Sequence, residues 1–187
     1  EEEAVWVVDP ERRLEPYLKS ELNTVRLDDL AIEPYHNKRG VGIWVSEYQP
    51  PEGVQCLMLR PRNLVVGVGC NRGASAEEIL GLLSNTFERE RLALLSIRNL
   101  ASIDLKSDEG GILEAGRVLG RPVHFYSRQD IEKMAVPNPS RVVLACIGVE
   151  SVCEATALLS AQSSELIITK RKTPNVTIAV ARVAFPS

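Results

Sequence analysis

The sequence has few residues suited to metal or redox chemistry. Its 187 residues include four cysteines, Cys56, Cys70, Cys146 and Cys153, and two histidines, His36 and His124. None of the cysteines forms a CxxC pair, so neither a zinc ribbon nor a dithiol redox motif is expected, and no metal site is assigned. Scattered thiols of this kind read as small, mostly buried side chains of a protein in a reducing cytosol. With so few histidines no Ser-His-Asp triad can be built, and His124, between apolar strand residues, reads as a hydrogen-bonded core group. No run approaches 18 apolar residues, which excludes a transmembrane helix. No leader pattern stands at the N-terminus, so a cytoplasmic location and no membrane partner are expected. The net charge is only −3, too weak on the basic side for a nucleic-acid footprint.

What is present is an ordinary globular balance, 44% hydrophobic and 25% charged residues. The length fits one large domain or two small ones. Residues 1–62 carry an excess of acids, whereas every charged side chain after Glu165 is basic: Lys170, Arg171, Lys172 and Arg182. That end of the chain suits an anionic partner, or is simply a solvated strand end.

The pattern divides after Pro61-Arg62. Before it, 4–8, 25–27, 41–45 and 56–59 read as strands, and Asp9-Pro10 opens a helical spacing through Leu14, Leu18 and Leu22. This predicts a small α/β segment over 1–62. After it, Leu64 to Gly69 is a continuous apolar run, the mark of a strand buried on both faces. Helical patterns follow at Ile79, Leu82, Leu83 and Phe87, at Leu92 to Ile97, at Ser107 to Leu119 (stopped by Gly120) and from Ser127 to about Ala135. Ala101 to Ile103 and Val123 to Tyr126 read as strands. Arg141 to Ile147 leans to helix beyond the break Pro137-Asn138-Pro139. A helix over Val152 to Ala161 and strands at 166–168 and 176–183 complete the chain. The last two strands have no helix between them and predict a hairpin. Residues 63–187 therefore predict a three-layer α/β/α domain with a mixed sheet.

Three loops carry the candidate chemistry. Gly69-Cys70-Asn71-Arg72-Gly73 leads from a strand to a helix capped by Ser75, with Glu78 completing a capping box. With Gly67 it nearly matches GxGxxG, but the third glycine is one residue late and no acid closes a second strand. A tight turn, a carboxylate site using Arg72, and a nicotinamide site all remain open readings. Asp104-Leu105-Lys106-Ser107-Asp108-Glu109 follows a strand; Asp104 or Glu109 suits a general base and Lys106 an oxyanion partner, while acids there also suit a helix start. Gly148-Val149-Glu150-Ser151-Val152-Cys153-Glu154 opens another helix, and Ser151 with Glu154 reads first as a capping box.

In this order, and closed by Lys170-Arg171-Lys172-Thr173-Pro174-Asn175 and Val176 to Arg182, these segments resemble the CbiG family of cobalamin biosynthesis proteins. Residues 64–183 are also similar to CobE, and Gly42-Ile43-Trp44-Val45-Ser46 and Leu59-Arg60-Pro61-Arg62 resemble the middle region of CbiG. The resemblance implies hydrolytic opening of the δ-lactone of cobalt-precorrin-5A with release of acetaldehyde. The implied substrate is a cobalt-containing tetrapyrrole with acetate and propionate arms, and no separate cofactor is needed. On that reading Asp104, Glu109 or Glu154 supplies the base, and Lys106, Lys170 or loop amides the oxyanion donors. Gly69, Cys70, Asn71, Arg72, Gly73, Ser75, Gly148, Ser151, Glu154, Lys170, Lys172 and Asn175 form the candidate binding set. CbiG proteins usually carry an N-terminal domain with a Gly-rich, His-containing motif, which this sequence does not match. A CobE-like binding module for a corrinoid intermediate, or a chain lacking a domain needed for activity, is the alternative. Other cobalamin-pathway enzymes and a second copy are the expected protein partners.

Overall fold

A computed structural model of the chain describes residues 5–17, 24–27 (backbone only), 42–133 and 151–183. Two units form: Glu1–Pro61 with Arg91–Leu95, and Arg62–Glu90 with Ser96–Ser187. A single cut after residue 62 misses the excursion at 91–95.

The first unit holds a sheet of β1 (Val5–Val8), β2 (Thr24–Leu27), β3 (Gly42–Val45) and β4 (Leu57–Leu59), in the order β2-β1-β3-β4 with every pairing parallel. Trp6, Val8 and Trp44 form its core. The indole N–H of Trp44 finds the Tyr48 carbonyl at 2.8 Å, which lets the ring be buried. The helix expected from Asp9 does not form over the described part. The Asp9 carboxylate accepts the Leu14 N–H at 2.6 Å, competing with helical bonding, and Arg12 lies at φ 52°. Only a 3₁₀ turn, Glu15–Tyr17, results; Leu18 and Leu22 lie outside the described residues. Leu92 to Ile97 is likewise not a helix. Gln49 N–H donates to Arg91 O and Ala93 N–H to Glu47 O, both at 2.7 Å, so this backbone is committed to strand-like pairing. A 3₁₀ turn at Leu94–Ser96 follows, and Ile97 already belongs to the next strand.

The second unit is a five-stranded mixed sheet, order β7-β6-β5-β9-β8. Its strands are β5 (Leu64–Cys70), β6 (Ile97–Ile103), β7 (Val123–Tyr126), β8 (Leu166–Lys172) and β9 (Val176–Arg182). β5, β6 and β7 run parallel, and β9 is antiparallel to both β5 and β8, the expected hairpin. Leu64, Val65, Val66 and Val68 are all 0% exposed, so β5 is covered on both faces as its unbroken apolar run requires. The helices are α1 (Ala76–Arg89), α2 (Gly110–Leu119), α3 (Arg128–Ile131) and α4 (Val152–Ala161). Val65 and Ala101 pack with Cys153 and Ala157 of α4, while Gly116 of α2 faces Leu100. Successive β6 residues point to opposite faces, so α2 and α4 lie on opposite sides of the sheet and three layers result.

Two local expectations change. α2 starts at Gly110 rather than Ser107, because residues 104–107 close their own 3₁₀ turn and Glu109 is extended. Gly120 stops it in the left-handed region, with Arg121 N–H bonded back to Gly116 O. His124 is exposed on the edge strand β7 rather than buried. The breaks and helix expected over 134–150 lie outside the described residues.

A glycine brings α4 against the sheet. A Cβ on Gly67 would stand 1.8 Å from the Cys153 carbonyl oxygen, so strand and helix backbones meet directly. Gly81, exposed on α1, meets nothing within 4 Å. Gly67→Ala is therefore expected to lose at least about 1–3 kcal/mol, and Gly81→Ala to gain about 0.5–1 kcal/mol, in thermal or urea unfolding. Equal signs for the two would refute the close approach.

Candidate functional site

Because β5 and β6 are parallel, their C-terminal ends open on one edge of the sheet, and antiparallel β9 starts there. The loop after β5, the turn after β6, the start of α4 and the β8–β9 hairpin meet around a cavity of about 250 Å³. Gly69 and Cys70 line it from β5 and Asn71 from the loop beyond, and Ile103 from β6 and Lys106 from the turn beyond. Ser151 and Val152 line it from α4, and Lys170 with residues 172–177 from the hairpin.

Of the candidate residues, Gly69, Cys70, Asn71, Lys106, Ser151, Lys170, Lys172 and Asn175 thus line one pocket. Arg72, Gly73, Ser75, Asp104, Glu109 and Glu154 do not, and Gly148 lies outside the described residues. The described lining contains three lysines and no carboxylate. Strand alternation sorts the basic hairpin: Lys170 and Lys172 reach the pocket, while Arg171 pairs at 3.2 Å with Glu90, the residue that ends α1.

The acids of the second loop build rather than line the site. Glu109 is 5% exposed and accepts the Gly73 N–H at 2.6 Å and the Lys106 ammonium at 3.3 Å. The Gly73 N–H, then Lys106 and Arg72, hold its carboxyl below the usual range against the opposing effect of burial. Arg72 is bound to Asp108 at 3.0 Å on the surface. Gly73 sits at φ +75°, which explains a glycine there without any nucleotide. Asp104 is exposed on the turn between Ile103 and Lys106.

Neither capping box closes as the sequence suggests. Ser75 caps α1 by accepting the Glu78 N–H at 3.1 Å, but the Glu78 carboxylate turns to the hairpin, to Thr173 and Asn175. Ser151 is the N-cap of α4 without a side-chain cap bond. Glu154, 0% exposed, accepts the Lys170 N–H at 2.9 Å instead, within the register shift between Ile168 and Arg171. It braces the strand that carries Lys170 rather than its own helix. Sequence reasoning missed Glu78 and Thr173; the only signal was their polarity, since no local spacing relates residues 95 apart.

Burial pushes the Cys70 thiol up, partly offset by Lys106, and also pushes up Cys153. Among the described residues no group of three or more His, Cys, Asp or Glu is placed to hold a metal ion, and no helix is long and apolar enough to cross a membrane.

The family described as "Cobalamin synthesis G C-terminus" matches residues 64–181. A cobalt-precorrin-5A hydrolase of Priestia megaterium is 35% identical over 129 residues, covering 69% of this chain and 34% of that protein. Protein CobE of a Sinorhizobium species is 34% identical over 121 residues, 63% of this chain and 79% of that protein. The chain thus spans about a third of the hydrolase and most of CobE. The crystal structure of CobE, a protein from the cobalamin (vitamin B12) biosynthetic pathway, matches with a TM-score of 0.60 at 35% identity, over 66% of this chain and 95% of that one. A cobalamin biosynthesis protein G homologue from Sulfolobus solfataricus, 18% identical, shares the fold over 97% of this chain and 51% of that one, with a TM-score of 0.54.

The Glu109 arrangement has a pH signature. Its carboxyl is depressed in the folded state, so the stability it adds is full above the ordinary glutamate range and is lost as pH falls through the lowered value. Glu109→Gln should lower Tm by about 5 °C near neutrality. The gap to the parent should shrink below about pH 4. A gap unchanged down to about pH 3 would contradict the ionised clamp.

Proposed function

The chain belongs to the cobalamin synthesis G C-terminus family, and from that premise we propose that it acts in cobalamin biosynthesis on cobalt-precorrin-5A. In this reading the second unit holds the carboxylate arms of the tetrapyrrole while its lactone is hydrolysed and the two-carbon unit leaves as acetaldehyde. One observation carries the reading: the pocket offers Lys106, Lys170 and Lys172 with no carboxylate among its described lining. Lys106 already has Glu109 at 3.3 Å, but the lining as a whole carries an excess of positive charge, and the arms of the substrate are anions at neutral pH.

The chemistry balances with water alone. Water oxygen adds to the lactone carbonyl carbon, its proton goes to a base, and the carbonyl electron pair moves onto oxygen. The lysines and the first turn of α4 offset that oxyanion. Collapse breaks the ring C–O bond and leaves a carboxylate and an alcohol. The alcohol then gives up its proton, its C–C bond to the macrocycle breaks, and acetaldehyde departs with the electron pair left on the macrocycle. The base this unit offers is Asp104, exposed next to the lining residue Ile103. Glu109 is held ionised by its own partners and serves the structure. A second reading, a CobE-like module that holds the intermediate without turning it over, is favoured by the same lack of a lining acid.

Lys170→Ala and Lys172→Ala should each weaken binding of cobalt-precorrin-5A by about tenfold or more, and parent affinity should fall as salt is raised. Acetaldehyde formation by the chain, cut about 10²-fold in Asp104→Asn with binding retained, supports the hydrolase reading. Binding without acetaldehyde moves the assignment to the holding module. Affinity indifferent to both salt and the lysines would sink the two together.

A further inference from the structure

We propose that Glu78 is a positioning residue that holds the lysine-bearing wall of the pocket from outside it; this rests on the carboxylate-arm reading above. Glu78 is not a lining residue. Its place in the first turn of α1 would suit a bond back to Ser75, but its two oxygens are used elsewhere. Oε1 accepts the Thr173 hydroxyl at 2.6 Å and Oε2 the Asn175 side-chain amide at 3.1 Å. Both donors sit in the turn joining β8 to β9.

The same turn is held from β5. Asn71 N–H donates to Asn175 O at 2.8 Å, and the Asn71 side-chain amide reaches Asn175 Oδ1 at 3.3 Å. Thr173 closes the turn itself, its N–H on Val176 O at 2.8 Å and its hydroxyl oxygen accepting the Val176 N–H at 3.1 Å. With its proton given to Glu78, the Thr173 hydroxyl has its lone pairs free for that N–H. An ionised carboxylate is the one side chain of this length that accepts from both donors at once. A glutamine would turn an N–H₂ group towards one of them.

Lys172 gives this clamp its functional meaning. Among the described residues it has no ion-pair partner, and it stands opposite Thr177 directly before the turn, so the turn sets where its side chain is rooted. A looser turn spreads that charge over more positions, and a ligand must then order it on binding.

The test uses the whole chain and uroporphyrin, a polycarboxylate porphyrin, as probe. Glu78→Gln is expected to weaken binding about fivefold, and the effect should vanish in a Lys172→Ala background. Ile79→Val, in the same helix and 1% exposed, should lower Tm without changing affinity. An equal loss of affinity in Ile79→Val, or a Glu78→Gln effect that persists without Lys172, would overturn the positioning role. Hydrogen exchange gives a reading that needs no ligand: Glu78→Gln should speed exchange at the Thr173 and Val176 amides. If the parent chain does not bind uroporphyrin, the carboxylate-arm reading fails, and unchanged exchange at those amides would overturn the clamp as well.

Discussion

The edge of the sheet that carries the pocket depends on one carboxylate, that of Glu109. A buried acid is expensive unless every oxygen is satisfied. Here a backbone N–H from the loop after β5 and an ammonium from the turn after β6 converge on it. The two loops leave neighbouring parallel strands and are tied a second time at the surface, where Arg72 meets Asp108 at 3.0 Å. Their common anchor also decides the charge of the site. Lys106 enters the pocket with its charge partly offset, and Arg72 is drawn away to Asp108.

The remaining cations are sorted by backbone geometry. A strand sends Lys170 and Lys172 to one side and Arg171 to the other, where Glu90 neutralises it. The irregular register at Lys170 leaves an N–H that Glu154 accepts from α4. That reach is short only because α4 lies on β5 with no side chain between them at Gly67. Small residues in the sheet and helix therefore place a buried acid where it can brace a strand. Three acids, Glu78, Glu109 and Glu154, hold the basic or loop segments of the wall without lining it themselves.

Much of the fold was legible because it rests on local pattern. The apolar run at Leu64 to Gly69, the Ser75 cap, the Gly120 stop and the two final strands without a helix between them each read through one physical rule. Errors arose where a distant strand pairing or a local side-chain bond took a backbone group that a helix needs. Leu92 to Ile97 has helical spacing, yet residues 91 and 93 are paired with 47 and 49. Asp9 opens a helix by propensity but captures the Leu14 N–H instead. The site was legible as a set of polar loops on one sheet edge. The partition of its acids was not. Nothing in the spacing of Ser151 and Glu154, or of Ser75 and Glu78, shows that each glutamate prefers a strand or turn far along the chain to its own helix cap.

The state of the thiols narrows the chemistry open to such a pocket. Cys70 is the one thiol in the pocket's described lining. A cysteine attacks as thiolate, and burial raises this thiol more than the Lys106 charge lowers it. Cys153 is pushed the same way beneath the wall. Neither is prepared for covalent catalysis on an acyl carbon. What the wall does supply is positive charge carried on backbone that buried or clamping acids brace from behind. Charge of that kind stabilises an oxyanion, and grips a carboxylate with the same groups. In the reaction proposed above, a lactone that becomes a carboxylate would move between those two kinds of anion, and one set of lysines would serve its binding, its opening and its product.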